Sequence, residues 1–423
     1  MRVELSFILA AVTVFLVVDS TIYYSLYHFV GRKWRKPALW SHFLLMTICL
    51  AIMAAVLILP KRSQDHSLQA PMWLLYTFMS IYIPKILYII VSFVGAGISR
   101  IIALCRRVSH SSYRYPVVIA LATALFTFGV MWWGIISTRH DIVVNHVTIN
   151  SPKMPKSFEG FRILQFSDAH VGTWGNDTTF VSHLVDEINA QDVDLILFTG
   201  DIVNRCSKEL DPFLPVFARL HAPHGVYAVL GNHDYGGYMD WEHPGDANKD
   251  VDRLKKMMKS INWTVMCNTT EFVKVDNDSI VLIGVENWGE PPFKQLGDLG
   301  KSYPDDPKNF RGLNDDMFKI LLTHNPMHWS SVAVDISNID LSLAGHTHAM
   351  QMMLKVGSWQ WSPSKFRYEQ WAGLYETKAK DGTNMSLYVN IGCGEVGFPA
   401  RILAAKPELT IFTLTNSIPM KAK

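Results

Sequence analysis

The chain has 423 residues, 49% of them hydrophobic and 18% charged, with a formal net charge of +2. Residues 1–140 hold 13 Lys and Arg against 3 Asp and Glu, a net of +10, whereas residues 141–423 hold 26 against 34, a net of −8. An acidic second half without interleaved aromatic and basic residues excludes nucleic acid as a partner, because phosphates demand a basic face.

The first 140 residues carry four apolar stretches, at about 5–30, 39–60, 72–96 and 116–136. Each is long enough to cross the roughly 30 Å hydrocarbon core as a helix. The first is too long for a signal peptide and runs through Tyr23, Tyr24 and Tyr27, aromatics suited to an interface. Asp19 and Lys85 lie inside apolar stretches, where a lone charge is costly. They are read as snorkelling or facing a neighbouring helix, with a paired contact or a small polar site as the alternative. Pro84 predicts a kink in the third span. The bundle lacks the repeated acidic or glycine-broken pattern of a transporter and is read as an anchor. The domain expectation is 1–140 transmembrane helical region, 141–157 linker with Pro152 and Pro155, 158–416 catalytic domain and 417–423 tail.

Beyond the linker, apolar runs alternate with helical patterns, the βαβ rhythm of sheets covered by helices. Runs at 161–166, 193–198, 226–230, 320–322 and 341–343 read as buried strands. Residues 179–189 place Phe180, Leu184 and Ile188 on one helix face, and 208–220 does likewise with Phe213, Val216 and Leu220. The later half is more purely β, with strands predicted at 265–267, 272–275, 280–285, 387–391 and 409–414. Residues 235–252 and 356–375 are predicted active-site loops. The second carries Trp359, Trp361, Phe366, Tyr368 and Trp371, a cluster that walls the pocket, meets lipid or packs beneath the loop. Five cysteines without CxxC spacing predict at most one disulfide and no zinc–thiolate site.

Most of the strand runs lead into short polar motifs: Asp168-Ala169-His170, Gly200-Asp201, Gly231-Asn232-His233-Asp234, Thr323-His324-Asn325 and Gly345-His346-Thr347-His348. Three carboxylates, five imidazoles and two amides stand too far apart in sequence for a zinc finger. Ligands at strand ends are what an α/β sheet offers when a site is built along its carboxyl edge. Oxygen and imidazole ligands without thiolate suit iron, manganese or zinc.

In this order the motifs resemble the signature of the calcineurin-like metallophosphoesterase superfamily, D-x-H, G-D, G-N-H-D/E, H and G-H-x-H, over roughly residues 158–416. The stretch Gly392-Cys393-Gly394-Glu395-Val396-Gly397-Phe398-Pro399-Ala400-Arg401, followed by Lys406-Pro407-Glu408-Leu409, is similar to the end of the family's membrane-anchored bacterial branch. The resemblance implies an α/β fold, a two-sheet sandwich flanked by helices, preceded here by an all-α bundle of about four transmembrane helices. It implies two divalent or trivalent metal ions (Mn, Fe or Zn), with Asp201 bridging them. Asp168, His170 and His348 are expected on one ion, and Asn232, His324 and His346 on the other. Two ions about 3.5–4 Å apart activate a bridging water and clamp the phosphoryl group. The family does not use His233 as a ligand. It is expected to protonate the leaving alkoxide or stabilise the phosphoryl oxygens, with Asp234 either orienting its ring or serving as a loop residue. Arg205 and Arg401 are further candidates for phosphate contact, against ordinary surface or salt-bridged roles.

The implied activity is that of a membrane-anchored phosphoesterase (phosphoric ester hydrolase) acting through a metal-activated hydroxide. The substrate is expected to be a phosphoester at the membrane surface or linked to lipid. A silent adaptor using the same fold as a binding surface is the alternative, and the intact ligand set argues against it. Basic residues at 32–36 and 100–114 mark cytoplasmic loops and send the second half to the lumen or exterior. Sequons at Asn176, Asn262, Asn268, Asn277 and Asn384 agree.

Overall fold

The computed structural model describes residues 5–60, 62–63, 67–107, 114–290, 295–302, 317–379 and 382–416. The predicted tail at 417–423 lies outside them. The chain divides into two units, Met1–Leu59 with Ala70–Gly134, and Pro60–Gln69 with Ile135–Lys423.

The first unit is helical: α1 (Leu5–Phe29), α2 (Arg32–Ile58), α3 (Gln69–Cys105) and α4 (Arg114–Ile136). Among the described residues, Arg32–Ile58, Gln69–Cys105 and Arg114–His140 are long and apolar enough to cross a membrane. α2 takes Arg32, Lys33, Arg35 and Lys36 into its first turns, and α3 passes through Pro84 as one helix. Asp19 and Lys85 correct the snorkelling expectation. The Asp19 carboxylate is buried and accepts from Lys85 Nζ at 2.7 Å and from the Tyr82 hydroxyl at 2.5 Å. Opposite charges on α1 and α3 meet because two unpaired charges in apolar surroundings are far more costly than one hydrogen-bonded pair.

The second unit contains β1 (Val143–Asn150), β2 (Arg162–Phe166), β3 (Leu195–Phe198), β4 (Val226–Ala228), β5 (Trp263–Val265), β6 (Thr269–Val275), β7 (Asp278–Gly284), β8 (Lys319–Leu322) and β9 (Leu341–Ala344). These are followed by β10 (Met352–Val356), β11 (Trp359–Trp361), β12 (Gly373–Lys378), β13 (Asn384–Val389), β14 (Ile402–Leu403) and β15 (Glu408–Thr415). Two six-stranded sheets run β1-β15-β2-β3-β4-β5 and β12-β13-β9-β8-β7-β6, beside a small sheet β11-β10-β14. β2 to β5 are mutually parallel, as are β7, β8, β9 and β13.

Strand alternation decides what each face covers. Ile163, Leu195 and Leu197 of the first sheet meet Ile280, Leu282, Ile320 and Leu343 of the second in one core. Leu164, Phe166, Ile196 and Phe198 face the other way, onto α5 (Thr179–Asn189), α6 (Leu214–Phe217) and α7 (Asp246–Ser260). Val281, Ile283 and Leu321 cover the outer face of the second sheet with Trp329 and Ala333. This is a two-sheet sandwich with helices outside, as expected.

Three local expectations change. The helix predicted over 208–220 breaks into a single turn at Ser207–Leu210 and the short α6. Pro212 and Pro215 lack the N–H that an interior helical position needs, and the proline ring clashes with the preceding turn. The loop predicted over 235–252 is cut short by α7, which buries Val251, Leu254 and Met258. The loop predicted over 356–375 contains β11 and a single turn at Pro363–Phe366. All five cysteines are free.

Candidate metal centre

Five strands deliver the motif residues to one place. β2, β3 and β4 of the first sheet end just before Asp168, Asp201 and Asn232, and β8 and β9 of the second end just before His324 and His346. Both sheets therefore present the carboxyl ends of parallel strands to the same edge, where loop residues are released from the ladder. The turns are tight. Asp168, His170, Asp201, His346 and His348 all have positive φ, between 42° and 76°, a conformation that non-glycine residues adopt at a cost and that clusters at functional sites. Gly200, at φ 98°, could not carry a side chain, since a Cβ there would lie 2.6 Å from the Gly231 nitrogen.

The side chains converge in two groups. In one, His348 Nε2 lies 3.1 Å from His170 Nε2 and 3.2 Å from Asp168 Oδ1. In the other, His324 Nε2 lies 3.1 Å from both His346 Nδ1 and Asp201 Oδ2. Asp201 Oδ2 is also 3.6 Å from His170 Nε2, so this one oxygen stands between the groups. Asn232 lies at the same edge; its Oδ1 is buried with no hydrogen-bond partner among the described residues, while its Nδ2 donates to the Tyr238 hydroxyl at 2.9 Å.

The opposite ring nitrogens are held from outside. His170 Nδ1 is 3.2 Å from the Val203 carbonyl and His324 Nδ1 is 2.9 Å from the Thr199 carbonyl. Each carbonyl takes an Nδ1–H, which leaves the Nε2 lone pair aimed inward, the arrangement a metal-binding imidazole needs. His346 is turned the other way, with Nε2 held by the Tyr368 hydroxyl at 2.9 Å and Nδ1 facing the centre. Burial alone would push Asp201 up, but the imidazoles of His324, His233 and His170 hold it well below the usual carboxylate range. Burial and then His324 push His346 down to about 3, so its ring stays neutral and able to donate a lone pair.

An orphaned buried amide oxygen, inward-facing imidazole lone pairs and ionised carboxylates on one another's doorstep form a donor set that fits metal ions. Cys393 packs beside it, but burial pushes its thiol up to about 12 and Sγ donates to the Ser167 carbonyl at 3.2 Å. The donors offered at the centre are therefore oxygen and nitrogen atoms.

His233 and Asp234 separate from each other. His233 Nδ1 donates to the Asn204 carbonyl at 2.6 Å, and its ring stands edge-on to that of His170. Among the described residues the Asp234 carboxylate is engaged with backbone groups, which favours the loop-residue alternative for it over orienting His233. It accepts backbone N–H bonds from Gly231, Asp201, Ile202 and Val203, at 2.9 to 3.2 Å. It pins the loop after β3 to the loop after β4, a role that needs two oxygens pointing at four donors. Burial and then the Asp201 carboxylate push Asp234 up to about 7, against the backbone N–H bonds that favour its charged form.

Neither arginine is poised for phosphate. Arg205 pairs with Glu209 at 2.8 Å. Arg401 is wholly buried and donates to the carbonyls of Gly394, Ile391, Ala405 and Lys406. Two neighbours of the centre, Asn204 and Tyr238, and the more distant Arg62 carry no signal in the sequence. Arg62, from the segment between α2 and α3, donates from Nε to Asp240 at 2.7 Å and from Nη2 to the Met239 carbonyl at 3.1 Å. It thereby grips the loop that carries Tyr238.

Comparison with known proteins agrees with this geometry. The family profile described as "Calcineurin-like phosphoesterase" matches residues 161–350, and "Probable Calcineurin-like phosphoesterase, transmembrane domain" matches residues 2–139. The chain is 32% identical over 281 residues to "Uncharacterized metallophosphoesterase YkuE" of Bacillus subtilis, covering 66% of this chain and 87% of that protein. It is 26% identical over 332 residues to the "Transmembrane protein with metallophosphoesterase domain" of Danio rerio, covering 76% and 68%. It is 27% identical over 242 residues to "UDP-2,3-diacylglucosamine pyrophosphatase LpxG" of Chlamydia trachomatis, covering 50% and 70%. The strand-end motifs, the sandwich that gathers them and the matches to both halves make this chain a membrane protein of the calcineurin-like phosphoesterase family.

Proposed function

We propose that the protein is a membrane-anchored, dinuclear-metal hydrolase of phosphate esters, with an anchor over 1–140, a connection over 141–157 that lends β1 to the first sheet, and a catalytic domain over 158–416. Asp168, His170 and His348 would hold one ion, Asn232, His324 and His346 the other, and Asp201 both. When bound, such ions supply Lewis acidity, neutralising charge at the phosphoryl oxygens and activating a water. The observation that carries this reading is the position of Asp201 Oδ2, 3.1 Å from His324 Nε2 and 3.6 Å from His170 Nε2.

His233 is the proton donor to the leaving oxygen. The Asn204 carbonyl takes its Nδ1–H, so Nε2 is the nitrogen left to hand over a proton. Asp234 acts through the backbone, by keeping Asp201 and Asn232 in register. The substrate is a phosphoester linked to lipid or presented at a membrane surface. The transmembrane half supports this, as does a relative named for a diacylated sugar-nucleotide pyrophosphate.

The catalytic domain faces the lumen or exterior after four crossings. Loop charges and sequons support this, while the grouping of Pro60–Gln69 with Ile135–Lys423 supports both segments lying on one and the same side.

Metal analysis and hydrolysis of an aryl phosphate and a phosphodiester test the reading. Asp201→Asn should lose metal and turnover together, whereas His233→Ala should keep its metal and lose turnover by about 100-fold or more. Full activity in both variants, or a wild type that binds fewer than two ions and turns over nothing, overturns it; the latter points to an adaptor.

A further inference from the structure

Between residues 141 and 416, the large apolar side chains more than half exposed among the described residues are Val356 at 73%, Trp359 at 56% and Phe366 at 85%. They belong to one short piece of structure. β10 and β11 pair antiparallel, with Leu354 opposite Trp361 and Val356 opposite Trp359. Side chains alternate along a strand, so these four residues share one face of the hairpin while Lys355 and Gln360 share the other. Phe366 extends that face, its ring standing edge-on to Trp361 with centroids 6.2 Å apart. A contiguous aromatic and aliphatic surface of this kind on a folded unit marks an interaction site.

The location of the hairpin identifies its partner. β10 pairs on its other side with β14, in parallel, and β14 packs against the turn Thr138–His140, where the last apolar helix ends. Two strand spacings put β11 about 10 Å from β14, which itself touches the turn that follows α4. Tryptophan and phenylalanine prefer the interfacial layer of a membrane, and the exposed Lys365 beside Phe366 keeps its charge at the level of the headgroups.

We propose that the β10–β11 hairpin and Phe366 insert into the interfacial layer of a phospholipid bilayer, on the side where α4 ends. The same segment reaches the candidate centre, since Tyr368, two residues beyond Phe366, holds His346. A hairpin seated in lipid thus brings that wall of the site to the membrane surface, where a lipid-borne phosphoester is presented. The inference rests on the membrane-anchored reading, yet its test needs no turnover.

The full chain, with Cys105→Ser removing its exposed thiol, is labelled with an environment-sensitive fluorophore at Phe366→Cys and placed in nanodiscs of phosphatidylcholine and phosphatidylserine. A second sample is labelled at Lys274→Cys, an exposed position on β6 at the far edge of its sheet. The expected result is a blue-shifted label at 366, several-fold less quenched by iodide than at 274 and quenched by lipids brominated on the acyl chain. Equal iodide access at both positions overturns the proposal. So does protection at 366 that appears only in discs holding two copies, which assigns the face to a second copy of this chain. In a separate arm, Trp359→Glu should lower hydrolysis of a vesicle-embedded phosphoester and leave that of a soluble aryl phosphate unchanged. A protected label in protein that hydrolyses neither upholds the docking and overturns only the enzymatic reading.

Discussion

The ring of Tyr238 lies flat against that of His233, centroids 4.0 Å apart and planes within 7° of parallel. The Tyr238 hydroxyl also accepts from Asn232 Nδ2, so one side chain braces the proposed acid and a proposed ligand. Tyr238→Ala should lower kcat by about tenfold through loss of orientation, with metal content retained. Tyr238→Phe keeps the stack and should keep most of kcat. Steady-state kinetics alongside metal analysis separate the two.

Asp234→Asn replaces an oxygen that accepts N–H bonds with an amide that cannot. Four donors gather there on a wholly buried group, so the variant should lose about 3 kcal/mol of stability, with activity falling as the loops loosen. A catalytic carboxylate would show the reverse pattern, with lost turnover and an unmoved unfolding midpoint. Denaturant unfolding of the metal-free protein distinguishes these.

Arg62 is a half-exposed residue whose ion pair with Asp240 should contribute less than about 1 kcal/mol. Its importance lies in where it holds on. Arg62→Ala should speed amide exchange over residues 237–241 and raise KM, while exchange in β2 and β3 stays unchanged. Exchange that remains slow in that loop would show that the loop stands without the clasp.

His328 is fully buried beside Thr323, and burial pushes its imidazole down to about 4. The neutral ring fits the fold, whereas the unfolded chain takes up a proton near 6.5. The stability this confers is complete above about pH 6.5 and is lost as pH falls toward 4, by up to about 3 kcal/mol. His328→Phe should flatten that part of the metal-free stability–pH curve relative to wild type. Parallel curves would remove His328 from the account.

If the catalytic domain is lumenal or external, an N-glycosidase should increase its gel mobility. Asn176, Asn262, Asn277 and Asn384 are exposed, but Asn268 uses both ends of its amide to hold Glu286, Leu296 and Asp298. Asn268→Gln should therefore leave the shift unchanged. No shift at all in protein from mammalian cells places the domain in the cytosol.

The sequence was most readable where local chemistry agreed with the final structure. The motif residues from Asp168 to His348 could be found because each follows a strand whose apolar run is unmistakable. α5 was found end to end because Phe180, Leu184 and Ile188 are spaced as a helix requires. Pairings between distant segments left no local trace. Nothing near Asp19 announces Lys85, and nothing near Asp234 announces the amides of Asp201, Ile202 and Val203. For Asp234 the neighbouring His233 suggested a side-chain partner, while the partners found are backbone groups a strand away. Tyr238 and Arg62 meet only once the loops have folded.

The first strand of the catalytic unit and the last are neighbours: β15 lies between β1 and β2, parallel to one and antiparallel to the other. During synthesis β1 emerges early and finds its place empty until β15 has been made. At roughly 5–20 residues per second, the wait is many seconds beside a membrane, with an unpaired strand edge exposed to other chains. The unit must therefore close after translation has passed β15, and a chain cut short before Glu408 would lose the joint between β1 and β2 along with a strand. Such truncations should be cleared as misfolded protein and should not persist as weakened enzyme.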